Sequence, residues 1–393
     1  MLTTIRLNDF TNISLFSTPT GSDELFVSIN TSPGTPLSRA LEDLAGNYSL
    51  ALKRAKFPDD AVVFSRLFVS DIVNQHQFIA VSPVFNKLTK STVSVIEQKP
   101  VNGGPLSLLS YHLRTGKNAP AMVRRDFSPD GLQNSTLIKG KNYSLLLTAN
   151  SASDAAADTY SQTKSIFESL DTIITRSSMR LRDNTIRTWV FVRDIDVNYA
   201  AMVKARKELF IAHGLTEKSR YLASTGIQGR AVSAGQTVSV DTLSIGGLRH
   251  GQIIRMEAPA NLSPTILYGV TFERGLRVQF GDRSHLYISG TASINNKGEV
   301  LFHGDAALQT RRTIENIRAL LAAHHASIND MAYIIAYVRN LDDGESVRSV
   351  LSKEIGNAIP LIFAEGAVCR PAWLVELEGL AVIPDKSEFP PFI

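Results

Sequence analysis

Only one of the 393 residues is a cysteine, Cys369, so the chain can form no intrachain disulfide, and a reducing cytoplasm is the compartment this predicts. There is also no marked excess of one charge. Lys and Arg total 41 against 37 Asp and Glu, a formal net charge of +4 with no basic tail or stripe. That balance argues against nucleic-acid binding and suits a small anionic substrate. Long apolar runs are missing too: nothing approaches the roughly 20 residues of a membrane-spanning helix. The opening MLTTIRLNDF lacks the apolar core of a signal peptide and reads as mature protein. CxxC and HExxH do not occur, and the adjacent His324 and His325 cannot share one helix face. GGLRHG lacks the Lys-Ser/Thr ending of a phosphate loop, and there is no dinucleotide fingerprint. Neither a metal nor a cofactor is expected.

What is present is self-similarity. The stretch from Tyr143, YSLLLTANSASDAAADTYSQTKSIFESLDTII, parallels the stretch from His285, HLYISGTASINNKGEVLFHGDAALQTRRTIENIRALL. Each runs from an apolar strand through a small-residue turn to Gln-Thr (Gln162-Thr163; Gln309-Thr310) and a helical pattern. Ile314, Ile317, Leu320 and Leu321 recur at helical spacing and predict one apolar face. Downstream, TWVFVRD from Thr188 matches IIAYVRN from Ile334, and a further helix follows each (YAAMVKARKELF; ESVRSVLSKEI). A fainter copy at the N-terminus has LFVSINTS as early strand, LSRALEDLAGNYSLALKRA as helix and VVFSRLFVSD as the matching strand. The spacing predicts an α/β protein with mixed sheets, built of three β-β-α-β-α-β units at 1–125, 126–255 and 256–393. Helices on one face of each sheet leave the other to be covered, which three sheets around a pseudo-threefold axis would do. Clefts then form between neighbouring units.

The last unit, with SGTASI, HGDAALQTRRTIENIRALL, AYVRNLDDGESVRSVL and WLVELEGLAVI, resembles the Rid family, whose older label is endoribonuclease L-PSP. Its simple members are single-domain trimers that hydrolyse reactive enamines and imines between subunits. A narrower resemblance is to the chorismatases, fused Rid-like enzymes that cleave the enolpyruvyl ether of chorismate and release pyruvate. It rests on RTWVFVRDI, STGIQG, ISGTASI and VCRPAWLVELEG, with Cys369 seven residues before Glu376, the spacing of the 3-hydroxybenzoate-forming branch. YGVTFERG, Tyr268 to Gly275, is shorter than the corresponding chorismatase segment. Simple Rid deaminases carry a carboxylate-holding arginine fifteen residues before the strand glutamate; here that position is Leu361.

In LVELE, Glu376 and Glu378 share a face if the segment is a strand. Two carboxyls on one face repel, and burial raises the pKa of either. A carboxylic acid kept neutral can donate a proton. Read from the residues alone, a solvated strand face accounts for them equally well. The resemblance implies that Glu376 is the proton donor to the enol ether; Glu378 is read as standing behind it. It further implies Arg187 and Arg274 as carboxylate holders and Cys369 as a cleft wall; Arg348, from its place in the helix after YVR, and Arg370 are further arginine candidates, with Tyr268 as a hydrogen-bond partner and Gly290 as a point of close backbone approach. Surface ion pairs, a core tyrosine, a small buried thiol and a strand kink are the ordinary alternatives. Arg370 is expected to turn to the face opposite Cys369. The expected partner is therefore a small chorismate-like anion. The alternatives are a Rid-type hydrolase acting on another enamine, imine or enol ether, and a non-catalytic binding fusion. RNA cleavage has little support in the charge pattern. Three fused units can replace the family trimer as a pseudo-threefold monomer, or can still associate into a homo-oligomer.

Overall fold

A computed structural model describes residues 1–19, 22–115, 122–127, 134–153, 158–265 and 271–393, with the side chains of 122–127 left aside. Three six-stranded sheets follow one another along the chain. The first holds β1 (Leu2–Asn8), β2 (Thr11–Phe16), β3 (Asp23–Asn30), β4 (Val62–Val69), β5 (Thr92–Glu97) and β6 (Leu106–Arg114). The second holds β7 (Met122–Phe127), β8 (Asn134–Lys139), β9 (Ser144–Ser151), β10 (Thr185–Val192), β11 (Ala223–Gln228) and β12 (Val238–Gly246). The third holds β13 (Ile253–Arg255), β14 (Gly275–Gln279), β15 (Arg283–Ala292), β16 (Met331–Val338), β17 (Leu361–Glu365) and β18 (Val375–Pro384). Their spatial orders, β1-β2-β3-β6-β4-β5, β7-β8-β9-β12-β10-β11 and β13-β14-β15-β18-β16-β17, are the same topology three times. In each sheet the last-but-two and last-but-one strands pair in parallel and the other pairs are antiparallel. The repeated unit is thus a Rid-like unit with strands beyond the four that the sequence pattern displays.

Helices cover one face of each sheet: α1 (Leu37–Ala55), α2 (Ile72–Ala80) and α3 (Pro83–Leu88) in the first unit, α4 (Thr159–Arg176), α5 (Leu181–Asn184) and α6 (Ile195–Ala212) in the second, and α7 (Ala306–Ala322) and α8 (Gly344–Ile355) in the third. Ile314, Ile317, Leu320 and Leu321 of α7 are buried, as their spacing predicts. The repeated Gln-Thr has a structural cause. Gln309 Oε1 accepts from Leu374 N and its Nε2 donates to the carbonyls of Phe302 and Ala372. Gln162 does the same work toward Thr237 N and Gly235 O. The following threonines, Thr163 and Thr310, donate to the carbonyl one turn back. Each glutamine ties its helix to the approach to its unit's last strand.

The central strands β4, β10 and β16 are buried along their whole length. Helices cover one side, and the inner faces of the three sheets merge into one apolar core on the other. Each pair of units is also joined by a backbone bridge: Glu97–Arg230, Ile227–Val368 and Pro100–Ala364. One buried ion pair crosses each interface: Arg66–Asp241 at 2.8 Å, Arg187–Glu378, and Arg283–Glu24 at 2.6 Å.

The common topology lets positions be compared between units. β4, β10 and β16 end at Val69, Val192 and Val338, and the residue before each valine pairs across the sheet with Ser107, Ser239 and Glu376 respectively. Of the three equivalent positions, only the last unit carries an acid. In the same way Thr188 pairs with Ser224 where Ile334 pairs with Leu361, so Ser224 is the middle unit's counterpart of Leu361.

Candidate active site

Glu376 sits on β18 between Ala292 of β15 and Tyr337 of β16. The β15–β18 ladder shifts register between Ile288 and Thr291, and Gly290 lies in that irregularity. A side-chain carbon at Gly290 would stand 2.7 Å from Glu376 Cδ and nearer still to Oε1, so the close approach requires glycine. Glu376 is 5% exposed and its Oε1 has no hydrogen-bond partner. Burial, then the neighbouring Glu378 charge, pushes its carboxyl up to about 8, against the pull of Arg187 and Arg274. At neutral pH it is therefore a carboxylic acid with a proton to give.

A cleft partly open to solvent lies over this carboxyl. The last unit contributes Glu376, Gly290, Arg274, Phe272, Cys369, Arg370 and Trp373. The middle unit contributes Tyr199 and Arg206 from α6 and Ser224 and Gly226 from β11. The site is thus a cleft between units, and Glu376, Arg274, Cys369 and Gly290 line it together. Arg274 is anchored by donating from Nε and Nη2 to the Ser263 carbonyl at 3.1 and 3.0 Å. Burial, then the Glu376 charge, pushes the Cys369 thiol up to about 12, so it is no thiolate nucleophile. Tyr199 is hydrogen-bonded to it.

Other expected positions fall elsewhere. Arg187 is 1% exposed and donates to Glu378 and Thr225 beneath the cleft floor rather than lining the cleft. Its charge is already matched inside the protein. Arg348 is an exposed residue of α8, 5.7 Å from the Phe363 ring, in a separate groove between the last and first units. The reason is the pseudo-symmetry: each helix of this type lines the cleft formed with the next unit, so α6 of the middle unit, not α8, faces Glu376. Arg370 corrects the expectation of an opposite face. Residues 369–373 form no strand, and Arg370 and Cys369 line the same cleft. Tyr268 lies outside the described residues.

Arg206 is the residue the sequence reading missed. It is 2% exposed, donates from Nη1 to Ser224 Oγ at 3.3 Å and leaves Nε without a partner. Among the described residues no carboxylate lies within ion-pair distance of it, and burial lowers its pKa from the usual value. A buried guanidinium without a counter-charge calls for an anion. Through Ser224 it also stands at the place that Leu361 occupies in the next unit. The sequence does hold a signal for it: Met202, Ala205, Leu209 and Phe210 mark the buried stripe of α6, and Arg206 lies on that stripe.

The repeated mixed sheets and the inter-unit acid define the class as a fused Rid-like fold. Three comparisons bear on the family. Residues 278–383 match the family described as Endoribonuclease L-PSP. A RutC family protein of Pyrococcus abyssi is 31% identical over 97 residues, 24% of this chain and 76% of that protein. The 3-hydroxybenzoate synthase of Streptomyces hygroscopicus is 28% identical over 222 residues, 51% of this chain and 64% of that protein. The chain thus spans slightly less than two thirds of the latter's length. A crystal structure of a chorismatase superposes with a TM-score of 0.63 at 18% identity, covering 93% of this chain and 100% of that one. The chain belongs to the Rid family of endoribonuclease L-PSP-like proteins and is similar to chorismatases.

Proposed function

We propose that the cleft between the middle and last units cleaves the enolpyruvyl ether of chorismate, giving a hydroxybenzoate, in the first instance 3-hydroxybenzoate, and pyruvate. The observation that carries this reading is the neutral Glu376 carboxyl, with an unpartnered oxygen, facing a cleft that also holds Arg206 and Arg274. The names of the relatives supply the substrate. Chorismate has two carboxylates, and two buried guanidinium groups beside one acid match that demand.

Glu376 gives its proton to the terminal methylene carbon of the enol ether. The oxocarbenium ion that forms is trapped by water and the hemiketal collapses to pyruvate and a ring diol, which then loses its other hydroxyl and the C–H proton beside the retained oxygen as water, leaving 3-hydroxybenzoate. Chorismate divides into 3-hydroxybenzoate and pyruvate with no net water, so the proton must return to Glu376 at the end of the cycle. Cys369 forms a wall of this cleft, and Trp373 and Phe272 give the ring apolar surface. The guanidinium groups beside the acid favour this reading over an uncharged enamine or imine substrate, for which no such groups are needed.

The test is direct. Purified protein is incubated with chorismate, and pyruvate and aromatic products are measured. Release of pyruvate, lost by at least about 100-fold in Glu376→Gln, is the expected result. No release by the wild-type protein overturns the substrate; full activity of Glu376→Gln overturns the proton donor. Arg206→Gln should raise KM more than it lowers kcat.

A further inference from the structure

Glu376 and Glu378 lie two residues apart on one face of β18, and both are shut away from solvent at 5% and 0% exposure. Two such carboxyls do not both ionise readily, so the surrounding hydrogen bonds decide which one keeps the proton. Those bonds are divided unequally. Glu378 accepts three: from Arg187 Nη2 and Thr225 Oγ1 on one oxygen, and from Tyr337 Oη at 2.8 Å on the other. Glu376 Oε1 accepts none.

The direction of the Thr225 bond is fixed by its other partners. Its oxygen already accepts from Gly290 N at 3.0 Å and from Arg187 Nη2 at 2.5 Å. Its one proton is left to donate, and it is aimed at Glu378. Tyr337 stands opposite Glu376 in the ladder, yet its hydroxyl serves Glu378. Glu378 Oε2 thus meets only donors, the surroundings of an ionised carboxylate, and Tyr337 faces its other oxygen.

We infer that Glu378 is a positioning residue for the reaction, a carboxylate that Arg187, Thr225 and Tyr337 clamp as the acceptor of the pair, so that the proton stays on Glu376. The catalytic meaning of this clamp rests on the function proposed above; the proton's location does not. The charged and titratable groups around the pair fit the assignment, Tyr333 of β16 among them, a buried phenol facing Glu378, Arg187 and Arg66. Arg187 from β10 and Arg66 from β4 lie on the Glu378 side. Tyr337 from β16, Arg274 from the segment before β14, Cys369 and Arg370 from the loop before β18, and Tyr199 and Arg206 from α6 complete the shell. None of the groups on the cleft side donates to Glu376 Oε1.

The experiment uses intact protein with ¹³C-carboxyl-labelled glutamate and follows the infrared band of the buried neutral carboxyl, identified as the band that Glu376→Gln removes. In Glu378→Gln the midpoint at which this band disappears should fall by about one to three on the pH scale, because the repelling charge has gone and Arg187 is unbalanced. Activity at neutral pH should fall with it and recover at lower pH, with KM nearly unchanged. A folded Glu378→Gln protein with an unmoved midpoint overturns the inference. Should that variant not fold, Tyr337→Phe removes a single donor, and the expected result is a roughly tenfold loss of kcat at constant KM. An unchanged kcat and an unchanged band overturn the inference. The infrared titration needs no substrate, so a protein that leaves chorismate untouched sinks the proposed reaction and still decides where the proton sits.

Discussion

At the scale of single residues, Gly290 and Glu376 form one unit. A methyl group at Gly290 overlaps the far end of the Glu376 side chain, which can swing away, rather than fixed backbone. Gly290→Ala should therefore leave the melting temperature nearly unchanged while lowering kcat by about 100-fold, as misplacing a reacting group does. Steady-state kinetics beside a thermal melt check both halves. The Glu376 proton also has a consequence for stability. Its carboxyl holds its proton up to about pH 8 in the fold, while an unfolded chain releases it near the ordinary glutamate value of 4.5. The folded state therefore binds more protons across that window, and stability declines as pH rises from about 4.5 to 8. Glu376→Gln should stabilise the protein by a few kcal/mol at neutral pH, at about 1.4 kcal/mol per pH unit of the window, and confer little below pH 4.5. Denaturation midpoints at pH 4 and pH 8 test the sign. The acid is thus kept at a cost to the fold, as functional groups often are.

At the scale of elements, the interfaces between units depend on buried charge. Arg66 of β4 pairs with Asp241 of β12 and is packed within 4.7–5.3 Å of the Phe64, Trp189 and Phe191 rings. Arg66→Met leaves Asp241 buried and unpaired, so a loss of about 3–5 kcal/mol is expected in urea denaturation. The double variant Arg66→Met with Asp241→Leu should regain only part of that, since Asp241 also accepts from Asn150 N. Asp241 and Glu378 stand at the same ladder position in their units, opposite Trp189 and Ile335. One structural pair and one pair at the candidate site thus derive from the same place in the repeat. Elements of this kind were legible along the chain because helical and strand periods are local: the apolar face of α7 and the strands flanking it follow from side-chain spacing alone. The outer strands of each unit were less so, since edge strands such as β1 and β13 are largely half-buried or exposed and show no clear alternation.

At the scale of the whole molecule, three equivalent clefts have become unequal. Between the first and second units, β5 is held by the side chains of Asn134 and Asn150, which bond Val93 and Val95 directly. Between the last and first units a groove remains, with Ser107 in place of the acid, and its hydroxyl bonds Asn30. Only the middle–last cleft combines an acid with Arg206 and Arg274. Titration calorimetry of Glu376→Gln with chorismate should therefore give one site per chain; three equal sites contradict this inequality.

The chain's own repetition was enough to determine that three α/β units with one topology pack about a common centre, because repeat length, helix phase and strand composition are local properties. Glu376, Cys369 and Gly290 were singled out by the resemblance of their motifs to a family, not by the repetition, and they lie on neighbouring strands and a connecting loop of one unit. Which unit faces which was decided only by the tertiary structure. Arg187 is taken up by Glu378, Arg348 serves a different groove, and Arg206 enters from the preceding unit. Distances across an interface depend on how whole sheets dock, and spacing along a chain carries no record of that docking.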